Sequence, residues 1–464
     1  MYFLAIDLGA SSGRHILGRI ENGKLVLEEI HRFKNSIIKK DGHLCWDTPT
    51  LFEEILIGLE KCKSAGKIPQ SIGIDSWGVD FTLLDKEGNP LGDSVSYRDG
   101  RTEGMQEKAS EQIFDTDMYV RTGTQSHSYN TVYQLLAIKY NNPELLEKAS
   151  GFLLTPEYFT YLLTGVAKHE HTIASTTGLV NAYTQDWDFD LISALGLPEN
   201  IFGNITMPGT VVGSLLPKIQ ERIGFDCKVI FPCTHDTGSA VVAAPLLNEE
   251  TLFLSSGTWS LLGAELSAPI TKIRSHHAGL TNEAGYNNTV RYLKNIMGLG
   301  VIHSIKAELN DQYTFWQLSR MAQGHGHFHS RVDMNDPLFM APDSMIGAVK
   351  SACAETNQPI PQSIGETMHC VYQSLAMSYA QTAESLEEFT GKSFSQICIV
   401  GGGSQDEYLN RLTAKACNKT VTAGPVECTA IGNIIVQMIS QGVLQNTNEA
   451  RQLVCDSFSL QSYI

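Results

Sequence analysis

Residues 2–14 read YFLAIDLGASSGR, an apolar run that ends in an acid and breaks into a turn of small residues. Tyr2 to Asp7 predicts a buried strand, short, apolar and bounded by turn residues. Gly9 to Gly13 predicts a tight turn. Arg14 to Ile20 then alternates in polarity, Glu21-Asn22-Gly23-Lys24 supplies a hairpin turn, and Leu25 to Ile30 carries the sheet onward. The chain therefore opens strand, glycine turn, strand, turn, strand.

A second unit of this kind lies near the middle. Thr251 to Ser255 predicts a strand, Ser256-Gly257-Thr258 a turn, and Trp259 to Leu266 a second strand. Both units feed a strand into a loop of Gly, Ser and Thr, the pattern of a degenerate internal duplication. Helical periodicity dominates between and after them, at Thr50–Cys62, Asn130–Lys139, Pro156–Leu163 and Gly365–Phe389, the last closed by Gly391. Thr48-Pro49 reads as a cap and a first-position proline for the first of these helices. Pro245 and Asn248 interrupt the pattern between Ala240 and Glu250, which sets the expected division at an N-terminal lobe, 1–243, and a C-terminal lobe, 244–464. The last twenty or so residues are expected to pack back on the first lobe. Strands mixed with helices throughout give an α/β class.

The 464 residues, with 42% apolar and 18% charged, exclude a disordered chain. At net charge −16, from 34 basic and 50 acidic residues, general nucleic-acid binding is not expected, since neutralising phosphates takes clustered Lys and Arg. One small anion held by backbone N–H groups is compatible with that charge. No apolar run approaches the ~20 residues a membrane-spanning helix needs, and Asp7 interrupts the first one, so a cytosolic protein without a membrane partner is expected. None of the ten cysteines forms a CxxC pair, which argues against structural zinc and a disulfide scaffold; Cys353 and Cys370 are the pair that could meet in space.

Four motifs carry chemistry. In Asp7-Leu8-Gly9-Ala10-Ser11-Ser12-Gly13-Arg14 a carboxylate ends a buried strand beside a loop whose backbone N–H groups can cradle phosphate oxygens; an ordinary turn is the alternative. Asp7 could hold Mg²⁺, directly or through water. The same stretch matches G-x-S-x-G around Ser11, but an alternating strand follows where a hydrolase elbow needs a helix. Ser71-Ile72-Gly73-Ile74-Asp75-Ser76-Trp77-Gly78-Val79-Asp80-Phe81 ends a strand in Asp75 and exposes backbone at Gly78, which suits the approach of a sugar. Tyr97-Arg98-Asp99-Gly100-Arg101 adds polar groups at another strand end. Thr234-His235-Asp236-Thr237-Gly238 sits between strand and helix, where Asp236 either caps the helix or accepts a proton from a substrate hydroxyl. Gly401-Gly402-Gly403 follows the strand Ile397–Val400 and lets a ring or phosphate approach the backbone. Gly391-Lys392-Ser393 is not a phosphate-binding P-loop, since Leu386 stands where a glycine is required. His325, His327 and His329 alternate without a carboxylate or cysteine partner, which disfavours a metal site, and His169-Glu170-His171 is not H-E-x-x-H.

Taken together these motifs resemble the FGGY family of carbohydrate kinases. The resemblance runs from about residue 3 to about residue 437. It includes DLGASSGR, EIHRF, SIGIDSWGVDF, YRDGRT, THDT, SSGTWS, LKNIMGL, IVGGG and AGPVECTAIGN. It implies a two-lobed actin-like ATPase (ribonuclease H-like) fold with a duplicated core, ATP and sugar lying in a cleft between the lobes. The combination of THDT, GTWS and NIMGL implies transfer of the ATP γ-phosphoryl group to O1 of L-rhamnulose, rather than to xylulose or glycerol. Another ketose of the family's range, L-fuculose or D-xylulose, and a non-catalytic binding protein on the same fold are the rival readings. The resemblance further implies phosphate contacts from Ala10, Ser11, Ser12, Gly13, Arg14 and Thr258, and nucleotide contact from Gly402. It implies sugar contacts from Gly78, Asn295, His235, Asp236 and Thr237, with Asp236 as proton acceptor and Asp7 serving Mg²⁺. His303 stands where such enzymes are expected to place Gln in the nucleotide site, and it can still donate a hydrogen bond.

Overall fold

The structure, a computed structural model of the chain, describes residues 1–340 and 342–464. It is a mixed α/β protein built of two compact units. The first contains Met1–Ala243, Leu266–Tyr292 and Thr429–Ser457; the second contains Ala244–Glu265, Leu293–Cys428 and Phe458–Ile464. The units are thus interleaved in sequence, where the expected division kept everything after residue 243 together. The last residues divide, with the chain to Ser457 in the first unit and Phe458–Ile464 in the second. The return has an apolar cause. Ala430, Ile431, Ile434, Ile435, Val436 and Met438 are all fully buried, and a Cβ on Gly18 would lie 2.8 Å from Ile434.

Six strands make the first sheet: β1 (Phe3–Leu8), β2 (Ser12–Glu21), β3 (Lys24–Lys34), β4 (Ser71–Ser76), β5 (Val211–Ser214) and β6 (Lys228–Ile230). Their order is β5-β6-β4-β1-β2-β3. β1 and β2 are antiparallel, with Asp7 opposite Arg14. β1 runs parallel to β4, with Asp7 opposite Asp75, and β4 parallel to β6. Asn22 (φ 52) and Gly23 (φ 77) make the β2–β3 turn with the positive φ at both central residues that a tight hairpin requires.

The second unit repeats this wiring. β7 (Thr251–Ser256), β8 (Trp259–Leu266), β9 (Gln396–Val400), β10 (Thr420–Ala423) and β11 (Gln461–Tyr463) lie in the order β8-β7-β9-β10-β11. β7 and β8 form an antiparallel hairpin, and β7, β9 and β10 run parallel. In each unit a hairpin's first strand is flanked on its other side by parallel strands, which is the expected duplication.

The expected helices form, with adjusted ends. The helix Thr48–Ser64 takes Asp47 as its cap, whose side chain accepts from the Thr50 amide, so Thr48 is helical rather than capping. The long helix Ile364–Thr390 starts at a Ser363/Glu366 capping box and stops at Gly391 (φ 67). His325, His327 and His329 lie beyond the helix Phe315–Gln323 and in no strand; among the described residues no group of three or more His, Cys, Asp or Glu side chains is placed to hold a metal ion by itself. All ten cysteines are free thiols. Cys353 and Cys370 do meet, Sγ to Sγ at 3.8 Å, as a thiol contact. No helix among the described residues is long and apolar enough to cross a membrane.

Candidate active site

Parallel strands aligned in register deliver their C-terminal residues to one edge of a sheet. In the first unit β1, β4 and the chain after β6 deliver three acids, Asp7, Asp75 and Asp236. Asp7 and Asp75 are direct register partners, and the Ser76 amide donates to the Thr234 carbonyl at 2.9 Å, which continues β4 alongside the segment leading to Asp236.

Asp7 is buried and does not stand alone. Arg14, opposite it across the hairpin, donates through Nε and NH2 to the same Oδ2 at 2.9 and 2.8 Å. The intervening loop is rigidly tied. The Gly9 amide donates to the Ser12 carbonyl, and Asn35 clamps both sides, its amide on the Ser11 carbonyl and its Nδ2 on the Gly9 carbonyl, all within 2.9–3.0 Å. Gly13 is compulsory, because a Cβ there would lie 2.2 Å from the Phe33 ring. The tip is left open, with Ala10 and Ser12 half-buried and Ser11 exposed.

Asp75 is fully buried. Its Oδ2 accepts from Asn433 Nδ2, while its Oδ1 has no hydrogen-bond partner among the described residues. Asn433 is held in turn by Gln437, whose Oε1 accepts from Ser71 Oγ at 2.7 Å. Burial first, then the nearby Asp7 charge, pushes the Asp75 carboxyl well above its ordinary pKa.

Before Asp236 the chain is anchored by Glu170, fully buried, whose Oε2 accepts from the Thr234 hydroxyl and amide at 2.5 and 3.0 Å. Helix Asp236–Ala243 then begins, and the Ser239 amide bonds the His235 carbonyl at 3.1 Å. The Asp236 Oδ1 accepts from its neighbour Thr237, amide at 2.5 Å and hydroxyl at 3.2 Å. Asp236 is the first helical residue and bonds the amide of the second, so its carboxylate engages the helix N-terminus through Oδ1. Burial, and to a lesser degree Asp7, raises its pKa. A carboxylate raised this way is a better proton acceptor near neutral pH than an ordinary one.

The loop after β4 is strained. Val79 has φ 67, a costly conformation for a β-branched residue, of order 1–3 kcal/mol. Its amide donates to Thr176 Oγ1 (3.1 Å), and its carbonyl accepts from Thr131 Oγ1 (2.7 Å) and Gln134 Nε2 (3.3 Å). Asp80 finishes the clamp, accepting from the indoles of Trp46 (2.6 Å) and Trp77 (3.0 Å), the Tyr97 amide and Gln134. Gly78 has a packing reason as well, since its Cβ would lie 2.9 Å from Thr176 Oγ1. Asp99 of the YRDGR stretch caps a short turn and accepts from the Leu44 amide at 2.8 Å.

This donor set fits Mg²⁺. The cation takes hard oxygens, commonly one or two carboxylates plus substrate phosphates, and does not need an all-protein cage. Asp7 and the unpartnered Oδ1 of buried Asp75, paired in register, supply such oxygens.

In the second unit the corresponding strand ends carry Ser255, Ser256 and glycines. Thr258, at the β7–β8 tip, is exposed, and its carbonyl accepts the amides of Gly298 and Gly300, both at 3.1 Å. Gly300 opens the helix Gly300–Glu308, which carries His303, exposed and lying against the Phe315 ring at 4.9 Å. The three glycines after β9 have separate causes. Gly401 (φ 83, ψ −170) adopts a conformation open to glycine alone, and a Cβ on Gly403 would meet Ser256 Oγ at 2.0 Å and Leu299 at 3.1 Å. Only Gly402 is exposed, with nothing within 4 Å of its would-be Cβ. The second unit thus gathers Thr258, the helix bearing His303 and the glycine turn; Asn295 is half-buried in the strand Val290–Met297.

Sequence reasoning assigned no role to Asp75, although its strand-ending position repeats that of Asp7. It also passed over Arg291, whose signal was a charge inside the apolar run Val290-Arg291-Tyr292-Leu293. The side chain is wholly buried and contacts Glu283 and His235.

Comparison with known proteins fits this arrangement. The model of the N-terminal domain of the FGGY family of carbohydrate kinases matches residues 2–243, and that of the C-terminal domain matches residues 252–441. The chain is 48% identical over 460 residues to a protein of Oceanobacillus iheyensis named rhamnulokinase, covering 99% of this chain and 97% of that one. It is 47% identical to the rhamnulokinase of Halalkalibacterium halodurans (100% and 98% covered) and 41% identical to that of Bacillus subtilis (100% and 95%). Among solved structures, a gluconate kinase from Lactobacillus acidophilus superposes with TM-score 0.80 at 18% identity, over 99% of this chain and 92% of that one. A xylulose kinase from the same organism gives 0.79 at 17%, with the same coverage. At these identities the two structures speak to the fold alone.

Proposed function

The chain belongs to the FGGY family of carbohydrate kinases, and from that premise we propose that it transfers the γ-phosphoryl group of ATP to O1 of L-rhamnulose. The observation that carries the reaction class is the set of three acids at neighbouring strand ends, two in register and one at the head of a helix. The choice of sugar is supported by the name rhamnulokinase on relatives at 40–48% identity over nearly the whole chain.

In this reading Asp236 accepts the O1 proton as O1 attacks phosphorus, and the electron pair of the broken P–O bond leaves on ADP. His235, Thr237 and the backbone at Gly78 hold the sugar. Backbone amides of Ala10, Ser11, Ser12 and Gly13, with Arg14, hold phosphate oxygens; in the second unit Gly402 and His303 are nucleotide contacts. Such a reaction is mainly positioning and charge neutralisation, which the rigid Gly9–Ser12 loop and the Asp7–Arg14 pair are built to supply. Asp7, supported by Asp75, would hold Mg²⁺, which when bound offsets the charge of the phosphates. The deciding measurement is ADP release over a panel of ketoses with ATP and Mg²⁺. L-Rhamnulose should be turned over at roughly 1–100 s⁻¹. A kcat/KM tenfold better with L-fuculose or D-xylulose overturns the choice of sugar, and no turnover of any ketose overturns the enzyme.

A further inference from the structure

His235 stands directly before the proposed base, and three charged side chains surround its ring. Arg291 is the largest fully buried side chain of the described residues. Its Nε donates to the Ala284 carbonyl at 2.9 Å, its NH1 pairs with Glu283 at 2.9 Å, and its NH2 reaches His235 Nδ1 at 3.0 Å. Glu283 Oε2 lies farther from the same nitrogen, at 3.3 Å. On the other side of the ring, Nε2 faces Asp236 Oδ1 at 3.5 Å.

A guanidinium has donors and no acceptor. Its bond to Nδ1 requires a lone pair there, which the ring offers in the tautomer that carries its proton on Nε2. This inverts the familiar carboxylate–imidazole arrangement. In that arrangement the carboxylate accepts from Nδ1–H and leaves Nε2 as a base. Here Glu283 is engaged by Arg291, and Arg291 takes the Nδ1 lone pair. Burial alone would raise the Glu283 carboxyl, but the neighbouring Arg291 charge is the largest pull lowering it.

We propose that Arg291 is a positioning residue that fixes His235 as a hydrogen-bond donor through Nε2. The ring then holds a sugar oxygen beside Asp236 and does not compete for the O1 proton, which passes to Asp236 alone as the new O1–P bond forms and the bond to the ADP oxygen breaks. The proposal rests on the sugar-kinase reading above for its consequence, though the tautomer itself does not depend on turnover.

The direct test is a long-range ¹H–¹⁵N correlation spectrum of the intact protein labelled in histidine, at neutral pH without ligand. The His235 signal is identified by its loss in His235→Gln. A neutral ring protonated at Nε2 is expected; an Nδ1-protonated or doubly protonated ring overturns the proposal, even if the protein proves a fully active kinase. The second test is the double variant Arg291→Met/Glu283→Gln, which removes both charges together so that neither is left buried alone. Its kcat/KM for the ketose should fall by roughly 10²-fold, the cost of misplacing a reacting group, with KM for ATP unchanged and the His235 signal shifted toward the other tautomer. A folded double variant with unaltered ketose kcat/KM overturns the proposal. If the double variant does not fold, the wild-type spectrum decides alone.

Discussion

The two units share a strand plan and differ in what stands at the strand ends. In the first, β1 and β4 carry the register pair Asp7–Asp75 one residue before their ends; in the second, the equivalent strands β7 and β9 pair Ser255 with Val400 and run into glycines. The first hairpin loop is clamped by Asn35 and braced by an Arg14–Asp7 pair, whereas the second is steadied by amides of Gly298 and Gly300 on the Thr258 carbonyl. One duplicated scaffold therefore carries two kinds of surface. A set of buried acids suits charge and proton chemistry, because desolvation shifts pKa values and strengthens electrostatics. A bare glycine turn suits contact, because it brings backbone close to a ligand without side-chain obstruction.

That contrast breaks most sharply at Asp236. If the acids of the first unit do the chemistry, Asp236→Asn loses the proton acceptor, and kcat should fall roughly 10²–10⁴-fold. KM for ATP should hold and the melting temperature should change little. Retention of more than about a tenth of kcat in a folded variant removes the base assignment.

Asp7→Asn comes next. It removes charge from the proposed cation site and half of the Arg14 pair, so kcat should drop by roughly 10²–10³, the range for loss of one key electrostatic group. The concentration of Mg²⁺ needed for half-maximal rate should also rise. An unchanged Mg²⁺ titration would assign Asp7 to holding Arg14 only.

Acid lability should also be concentrated in the first unit. His15 and His171 are fully buried there, each with a ring Nδ1 lacking a hydrogen-bond partner among the described residues. Burial lowers them from 6.5 to about 3 and about 4. Between those values and 6.5 the unfolded chain binds the extra protons, so their contribution is complete above pH 6.5 and is lost as pH falls, by about 1.4 kcal/mol per pH unit for each. Buried Asp75 and half-buried Asp236, both raised in the fold, act with the opposite sign. The check is therefore a difference: urea midpoints of His15→Gln between pH 6.5 and 4 should fall less steeply than those of the unaltered protein. Parallel slopes would refute it.

The smallest effect sharpens the other side of the comparison. Gly402→Ala meets nothing within 4 Å and should leave stability unchanged while raising KM for ATP by about tenfold, the equivalent of ~1.4 kcal/mol of lost contact. Gly403→Ala should do the reverse. Its Cβ runs into Ser256, so it should cost about 1–3 kcal/mol of stability. If Gly402→Ala leaves KM for ATP alone, the glycine turn is structural throughout.

Local pattern was enough for much of this. The strand run before Asp7, the small-residue turn, the alternation from Arg14 and the Asn22-Gly23 turn each follow from neighbours in sequence, because strand faces and positive-φ turns depend on residues a few positions apart. The same holds for the helix closed by Gly391 and for the recurrence of the hairpin at Thr251. Asp236 was legible as a choice between cap and base, since its place between strand and helix is local.

Tertiary structure decided the rest. No local signal says that Asp75 lies in register with Asp7, that Asn433 reaches it from far along the chain, or that residues 266–292 and 429–457 join the first unit. Nor does the sequence divide Gly401-Gly402-Gly403 into two glycines required by backbone and packing and one left open. The physical reason is common to all of these. Hydrophobic periodicity fixes which face of an element is buried, whereas a buried charge such as Arg291 is stabilised only by partners from other elements, whose arrival depends on how the whole unit closes.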